Sequence, residues 1–228
     1  MSRRFSGFSE DTLAFQEFLR AEKWSRSAWD QISKDTWKNN VRPEIIALLS
    51  DCANELTEKT GIKFDSNPAS GYNQGGPTKF FWGAVIPEGG HKQKDIQLFV
   101  ALRSSYVRAG LFLKDTSKSK DAWDFAISSM KNNEQQISKA IEHASIIGIE
   151  PCIPLPDNHK GTPIPTKLDP KSNLWSTTFV NHKQMDILKA WKVEDPILRN
   201  PNFANEIISV FMELMPLYRI ISNPEVFD

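Results

Sequence analysis

The strongest chemical signal in this chain is a set of basic and aromatic residues on and beside stretches of strand character. Lys79 and Trp82 belong to the run Lys79–Ile86 (KFFWGAVI), and Arg103, Tyr106 and Arg108 follow it. Strand-borne rings interleaved with arginines stack bases and hold phosphates, so this surface suits nucleic acid or a nucleotide-like ligand. A structural reading competes with it. Seven Trp and fourteen Phe are mainly core material, and Arg108, between Val107 and Ala109, fits the polar face of a half-solvated strand. The loop ahead of Trp82 contributes Asn73, which makes Asn73, Lys79, Trp82, Arg103 and Arg108 the candidate ligand-binding residues.

That loop, Gly71-Tyr72-Asn73-Gln74-Gly75-Gly76-Pro77-Thr78-Lys79, imitates part of a phosphate-binding loop. Gly71 and Gly76 have the required spacing, but Pro77 and Thr78 intervene where Lys should follow at once. Pro77 also removes a backbone donor, and the next element reads as a strand, not as a helix whose N-terminus receives phosphate. Nucleotide hydrolysis is rejected there, leaving a plain connection or a ligand-contacting loop.

Other chemistries find less support. His91, His143, His159 and His182 lack the spacing of a local metal site, and no metal is expected. Cys52 lies on an apolar helical stripe, and Cys152 sits between Pro151 and Ile153-Pro154 in a rigid extended stretch; both read as structural. No G-x-S-x-G elbow occurs. Asp121 with Asp124, and Glu194 with Asp195, read as a helix start and a helix exit, not as acid/base pairs.

These residues sit in a chain of 228, with 28 Lys+Arg against 28 Asp+Glu. A neutral chain has no global field to steer it to nucleic acid or an anionic membrane, so any such binding must be local. The length suits one large domain or two small ones. Two cysteines make no disulfide framework, Glu10, Asp11 and Glu17 break any signal-like apolar run, and no stretch reaches membrane-spanning length. The expectation is a reduced, cytoplasmic protein without a membrane partner.

The elements divide into three zones. In the first, Ser9 caps a helix with Glu10 and Asp11 in its first turn and Leu13, Phe15, Phe18 and Leu19 as apolar contacts. Trp29, Ile32 and Trp37 suggest a second helix. A third opens near Pro43, carries Ile45, Leu49, Cys52 and Leu56, and ends at Gly61. The second zone reads as strands at 62–64, 79–86, 95–102 and 106–113, the last two as an antiparallel hairpin, with Gly89-Gly90 in the turn before it.

In the third zone, helices over 121–131 and 134–144 precede six prolines between Pro151 and Pro170. That stretch is neither helix nor central strand. It reads as a surface excursion in preference to an interdomain linker. A strand is expected at 174–180, then a helix capped by Asn181 with Met185, Leu188 and Trp191. A final helix opens at Asn200-Pro201 with Phe203, Ile207, Phe211 and Leu214. The fold class is a single α+β domain over 1–228: a mainly antiparallel sheet, an N-terminal helical layer, and C-terminal helices packed on it.

Several short motifs resemble the family of uncharacterised proteins called "domain of unknown function 2461". They are Phe5-Ser6-Gly7-Phe8 with Thr12-Leu13-Ala14-Phe15 and Leu19; Trp29 and Lys34; Pro77-Thr78-Lys79 before Phe80-Phe81-Trp82-Gly83; and Phe203, Glu206, Phe211, Leu214, Pro216 and Leu217. The arginines that the family carries before its Pro-Tyr-Lys are replaced here by the uncharged Ala69–Gly76. The resemblance implies a fold and no activity. The functional expectation is a non-catalytic binding or interaction module without a cofactor, its partner an unknown macromolecule or small ligand, nucleic acid among them. The alternative is an enzyme whose site is assembled from distant residues, such as a metal-dependent hydrolase.

Overall fold

The structure, a computed structural model, describes residues 4–18, 35–68, 72–73, 76–77, 81–91, 93–103, 105–153, 166–171 and 174–224. Helix α1 spans Glu10–Phe18. Ser9 stands at its N-cap, where the hydroxyl accepts from the Thr12 amide at 3.3 Å. The segment before it is anchored by side chains of the next long helix: the Phe5 amide donates to Asp51 and the Ser9 amide to Glu44. Phe5 and Phe8 are thereby buried, with Phe8 5.9 Å from the ring of Phe203.

Helix α2, Arg42–Thr60, follows directly on a π-helical turn, Trp37–Val41. Ile45, Leu49, Cys52 and Leu56 are buried along it, as their spacing requires. Gly61 ends it in the left-handed region at φ 72°, its amide donating to the Thr57 carbonyl. Trp37 stacks on Phe81 at 4.1 Å. Trp29, Ile32, Lys34 and Leu19 lie outside the described residues, as does the side chain of Phe18.

A six-stranded, fully antiparallel sheet follows. Its strands are β1 (Phe64–Pro68), β4 (Phe81–Pro87), β5 (Gln97–Leu102), β6 (Tyr106–Lys114), β7 (Glu150–Pro151) and β8 (Gln184–Lys192), in the order β1-β4-β5-β6-β8-β7. Two two-residue strands, β2 (Tyr72–Asn73) and β3 (Gly76–Pro77), pair separately. Helices α3 (Lys120–Asn132) and α4 (Glu134–Ile146) lie between β6 and β7, and α5 (Trp175–His182) precedes β8. A 3₁₀ turn, Pro196–Arg199, leads to α6, Phe203–Ile221. The protein is α+β.

The sheet has two faces of different character, because side chains alternate along every strand. Phe81 and Val85, Leu98, Val100 and Leu102, Val107, Ala109, Leu111 and Leu113, and Met185 and Ile187 form one face, buried in the main core. Helix α2 packs over β1 and β4 there, α6 over β6, and α3 and α4 pack on α6. The other face carries a smaller buried cluster, Phe99, Ala101, Cys152 and Leu188, flanked by Trp82, Phe112 and Ala190. An apolar residue at nearly every position of 97–102 matches a strand buried on both sides.

Two expected elements are exchanged. Of the expected strand 174–180, residues 175–180 form most of helix α5, and 184–192 form strand β8, not a helix. Trp175 and Phe179 are four apart and bury on one side of α5. Met185, Ile187 and Trp191 are two and four apart and bury on one face of β8. The switch falls at Lys183, which adopts the left-handed conformation at φ 53° and ends the helix before its Asn181 cap could start one. Nine residues of β8 pair with β6, from Lys114↔Gln184 to Tyr106↔Lys192. Pairing along the whole length of β6 thus overrode a helical reading of Met185, Leu188 and Trp191. Of the proline-rich stretch, the described parts are 151–153 and 166–171, joined by a bridge between Cys152 and Lys167.

Candidate functional site

Residues of β4, β5, β6 and β8 line a hollow on the second face of the sheet. Register places its residues in rows: Gln97, Phe112 and Asp186 in one, Ala101, Arg108 and Ala190 in another, with Trp82 opposite Ala101. Between these rows lies a cavity of about 160 Å³ lined by Trp82, Gln97, Phe99, Ala101, Arg103, Arg108, Phe112, Lys114, Gln184 and Asp186. Three of the five candidates, Trp82, Arg103 and Arg108, meet here. Lys79 lies outside the described residues, and so does the side chain of Asn73.

Arg108 is not on a half-solvated face, contrary to expectation. It is 7% exposed, its guanidinium lies 5.0 Å from the centre of the Phe99 ring, and Nη1 stands 3.8 Å from Asp186 Oδ1. That distance is too long for a hydrogen bond. Among the described residues, Arg108 Nε and Asp186 Oδ1 have no hydrogen-bond partner. The burial arises because the cluster around Phe99, Cys152 and Leu188 covers the strand face that an alternating pattern leaves to water.

Asp186 is 2% exposed, and its Oδ2 accepts from Gln184 Nε2 at 2.6 Å. Loss of solvent pushes its carboxyl above the ordinary value of 3.8, against the pull of Arg108, Gln184, Arg103 and Lys114. An acid with a raised folded value binds more protons folded than unfolded, so its stabilising contribution is complete below about pH 3.8 and is lost as pH rises through the folded value. Asp186→Asn should remove that loss. In urea unfolding from about pH 4 upward, the variant should gain on the native protein as pH rises; parallel profiles would contradict this.

Tyr106 lies one row beyond Arg108, fully buried, with its hydroxyl unpartnered among the described residues. It lines a second cavity of about 210 Å³ with Glu150, Cys152, Lys167, Leu188 and Lys192. Burial pushes the Cys152 thiol up to about 12 and the Cys52 thiol upward as well, so both stay protonated and unreactive at neutral pH. A further trough of about 380 Å³ adjoins the first cavity. It shares Trp82, Gln97, Phe112 and Lys114 and continues along Gln93, Asp95, Thr116, Ser117, Lys118 and Ser119.

The histidines do not converge. His91 Nδ1 accepts from the Gln93 amide, and His143 pairs with Glu213 on the exposed side of α4. His182 ends α5, and His159 lies outside the described residues. Among the described residues, no group of three or more His, Cys, Asp or Glu is placed to hold a metal. Asp124 pairs with Lys120, and Asp195 caps the 3₁₀ turn through the Ile197 amide. No helix among the described residues is long and apolar enough to cross a membrane.

Seven of the lining residues are not among the candidates that the sequence offers: Gln97, Phe99, Ala101, Phe112, Lys114, Gln184 and Asp186. Phe99 already made the second face of its strand apolar, which was the available signal. Asp186 was hidden by the helical assignment of its segment; an acid between Met185 and Ile187 in a strand would have stood out. No protein-family model matches the chain, and no curated protein gives a significant match to it.

Proposed function

We propose that the protein is a non-catalytic binding module for nucleic acid or a nucleotide-like ligand, which enters the cavity on the second face of the sheet. One observation carries this reading: Trp82, Phe99 and Phe112 share a cavity wall with Arg103, Arg108 and Lys114, against the single carboxylate of Asp186. Aromatic rings offer stacking surface that any base accepts, and an excess of cations in a partly desolvated hollow attracts an anion more strongly than exposed charges do. Since the chain as a whole is neutral, the attraction is confined to this hollow. The resemblance to the uncharacterised family carries no activity and adds nothing to this reading.

The test is fluorescence anisotropy with a labelled single-stranded DNA of mixed sequence, about twelve nucleotides long. Binding should weaken as salt rises. Trp82→Ala and Arg103→Ala should each weaken it about tenfold. Both side chains are half-buried at the cavity rim, so the melting temperature should change little. Absence of binding to this strand and to mononucleotides would overturn the proposal, and so would native affinity in both variants. Arg108→Ala is a poor probe of binding, because it also strips Asp186 of its neighbouring charge.

A further inference from the structure

We infer that the cavity receives the terminal phosphate of its ligand, as a monoester that shares a proton with Asp186, while the base lies at the Trp82 rim. This rests on the ligand reading above and narrows it to a phosphorylated strand end or a mononucleotide.

Two buried groups in the cavity wall carry the argument. Among the described residues, Arg108 Nε and Asp186 Oδ1 have no hydrogen-bond partner, and Nη1 stands 3.8 Å from that oxygen. A buried donor and a buried acceptor side by side, both unsatisfied, call for one group that serves the two. Three cations, Arg103, Arg108 and Lys114, stand against the single carboxylate of Asp186. A neutral base edge leaves that excess uncompensated, whereas an anion balances it. A fully ionised anion, however, satisfies the guanidinium fork and repels Asp186. An anion that still carries a hydroxyl accepts from Arg108 and donates to Asp186 Oδ1.

A phosphate monoester is such an anion. Its last proton leaves at about pH 6, and a carboxylate beside it holds that proton more firmly. The internal phosphodiesters of a strand have no proton to share. They also carry chain on both sides. The cavity measures about 160 Å³, and an engineered cavity of about 150 Å³ holds a single benzene ring. There is room for one group on one tether. The tether leaves past the half-buried Trp82 into the adjoining trough, which shares Trp82, Phe112 and Lys114 with the cavity.

The experiment measures anisotropy of strands of about twelve nucleotides, fluorescein-labelled at one end and bearing phosphate or hydroxyl at the other, in both polarities. Competitors are dTMP, thymidine, sodium phosphate and sodium sulfate at matched ionic strength. A phosphorylated end should bind about tenfold or more tightly than the hydroxyl end it replaces. Thymidine should compete far less well than dTMP, and sulfate, which has no proton to give Asp186, less well than phosphate. A preference among strands would mark the strand end as a ligand. Binding of dTMP without such a preference would mark free nucleotide; either supports the inference.

Equal binding of all strands, with thymidine competing as well as dTMP, would overturn it and leave the binding-module reading intact. Sulfate competing as well as phosphate would also overturn it, since nothing would then single out a protonated monoester. Failure of every strand, nucleotide and anion to bind would remove both readings. Arg108→Lys keeps a counter-charge for Asp186 but loses the fork, so the end preference should fall to about threefold or less, with the melting temperature checked alongside. Asp186→Asn removes the repulsion and should bring sulfate level with phosphate, a readout that stands even if the lysine variant fails to fold. Native discrimination between the two anions in Asp186→Asn would place the phosphate outside this cavity.

Discussion

Arg108→Ala should destabilise the protein by about 3–5 kcal/mol at neutral pH, the usual loss when one partner of a buried ion pair is removed. Asp186 is 2% exposed, and Arg108 is the strongest of the cations that hold its charge in the fold. Without the guanidinium, the carboxylate must either stay charged in a desolvated site or take up a proton. The cost should therefore shrink on acidification, because the protonated acid needs no counter-charge. Adding Asp186→Asn to Arg108→Ala should recover much of the stability. Urea unfolding of the two single variants and the double variant gives the coupling directly. Additive effects of the two substitutions would show that the 3.8 Å approach carries no energy.

Gly110→Ala should be about as damaging, on the order of 3 kcal/mol, at the upper end of overpacking costs. A Cβ at this position would lie 2.1 Å from the Ile187 carbonyl oxygen and 2.6 Å from the Leu188 Cα. Both are backbone atoms of β8, so no rotamer change relieves the contact, and β6 must move away from β8. That movement would also reach the site. Gly110 pairs with Leu188, two residues from both Arg108 on its own strand and Asp186 on the other. Thermal unfolding should show the loss, and ligand affinity should fall with it. A melting temperature within about a degree of the native one would mean that the two strands separate at little cost.

The local elements were legible where one periodicity stood alone. In α2, the spacing of Ile45, Leu49, Cys52 and Leu56, with Pro43 at the start and Gly61 at the end, left one interpretation. Strands β4, β5 and β6 announced themselves by β-branched and aromatic runs, and the short link 103–105 marks β5 and β6 as an antiparallel hairpin. Residues 174–192 were misread because their apolar spacing is short and ambiguous. Trp175 and Phe179 fit a helical face only if the helix starts there. Met185, Leu188 and Trp191 mimic a helical stripe until Ile187 is seen to pair with Leu111.

By itself the sequence determined the fold class, most of the elements, and three residues that line the cavity: Trp82 on β4, Arg103 just after β5 and Arg108 on β6. It also excluded a phosphate-binding loop, since Pro77 and Thr78 occupy positions that such a loop needs. Only the tertiary structure decided which face of the sheet those residues share, because facing depends on register, and a one-residue slip exchanges the two faces. It alone brought Asp186 from β8 beside Arg108 of β6, two positions 78 residues apart in the chain. The burial of that pair has the same origin. Solvent exclusion is produced by the packing of Phe99, Cys152 and Leu188 from three separate strand regions, and no local pattern of residues encodes it.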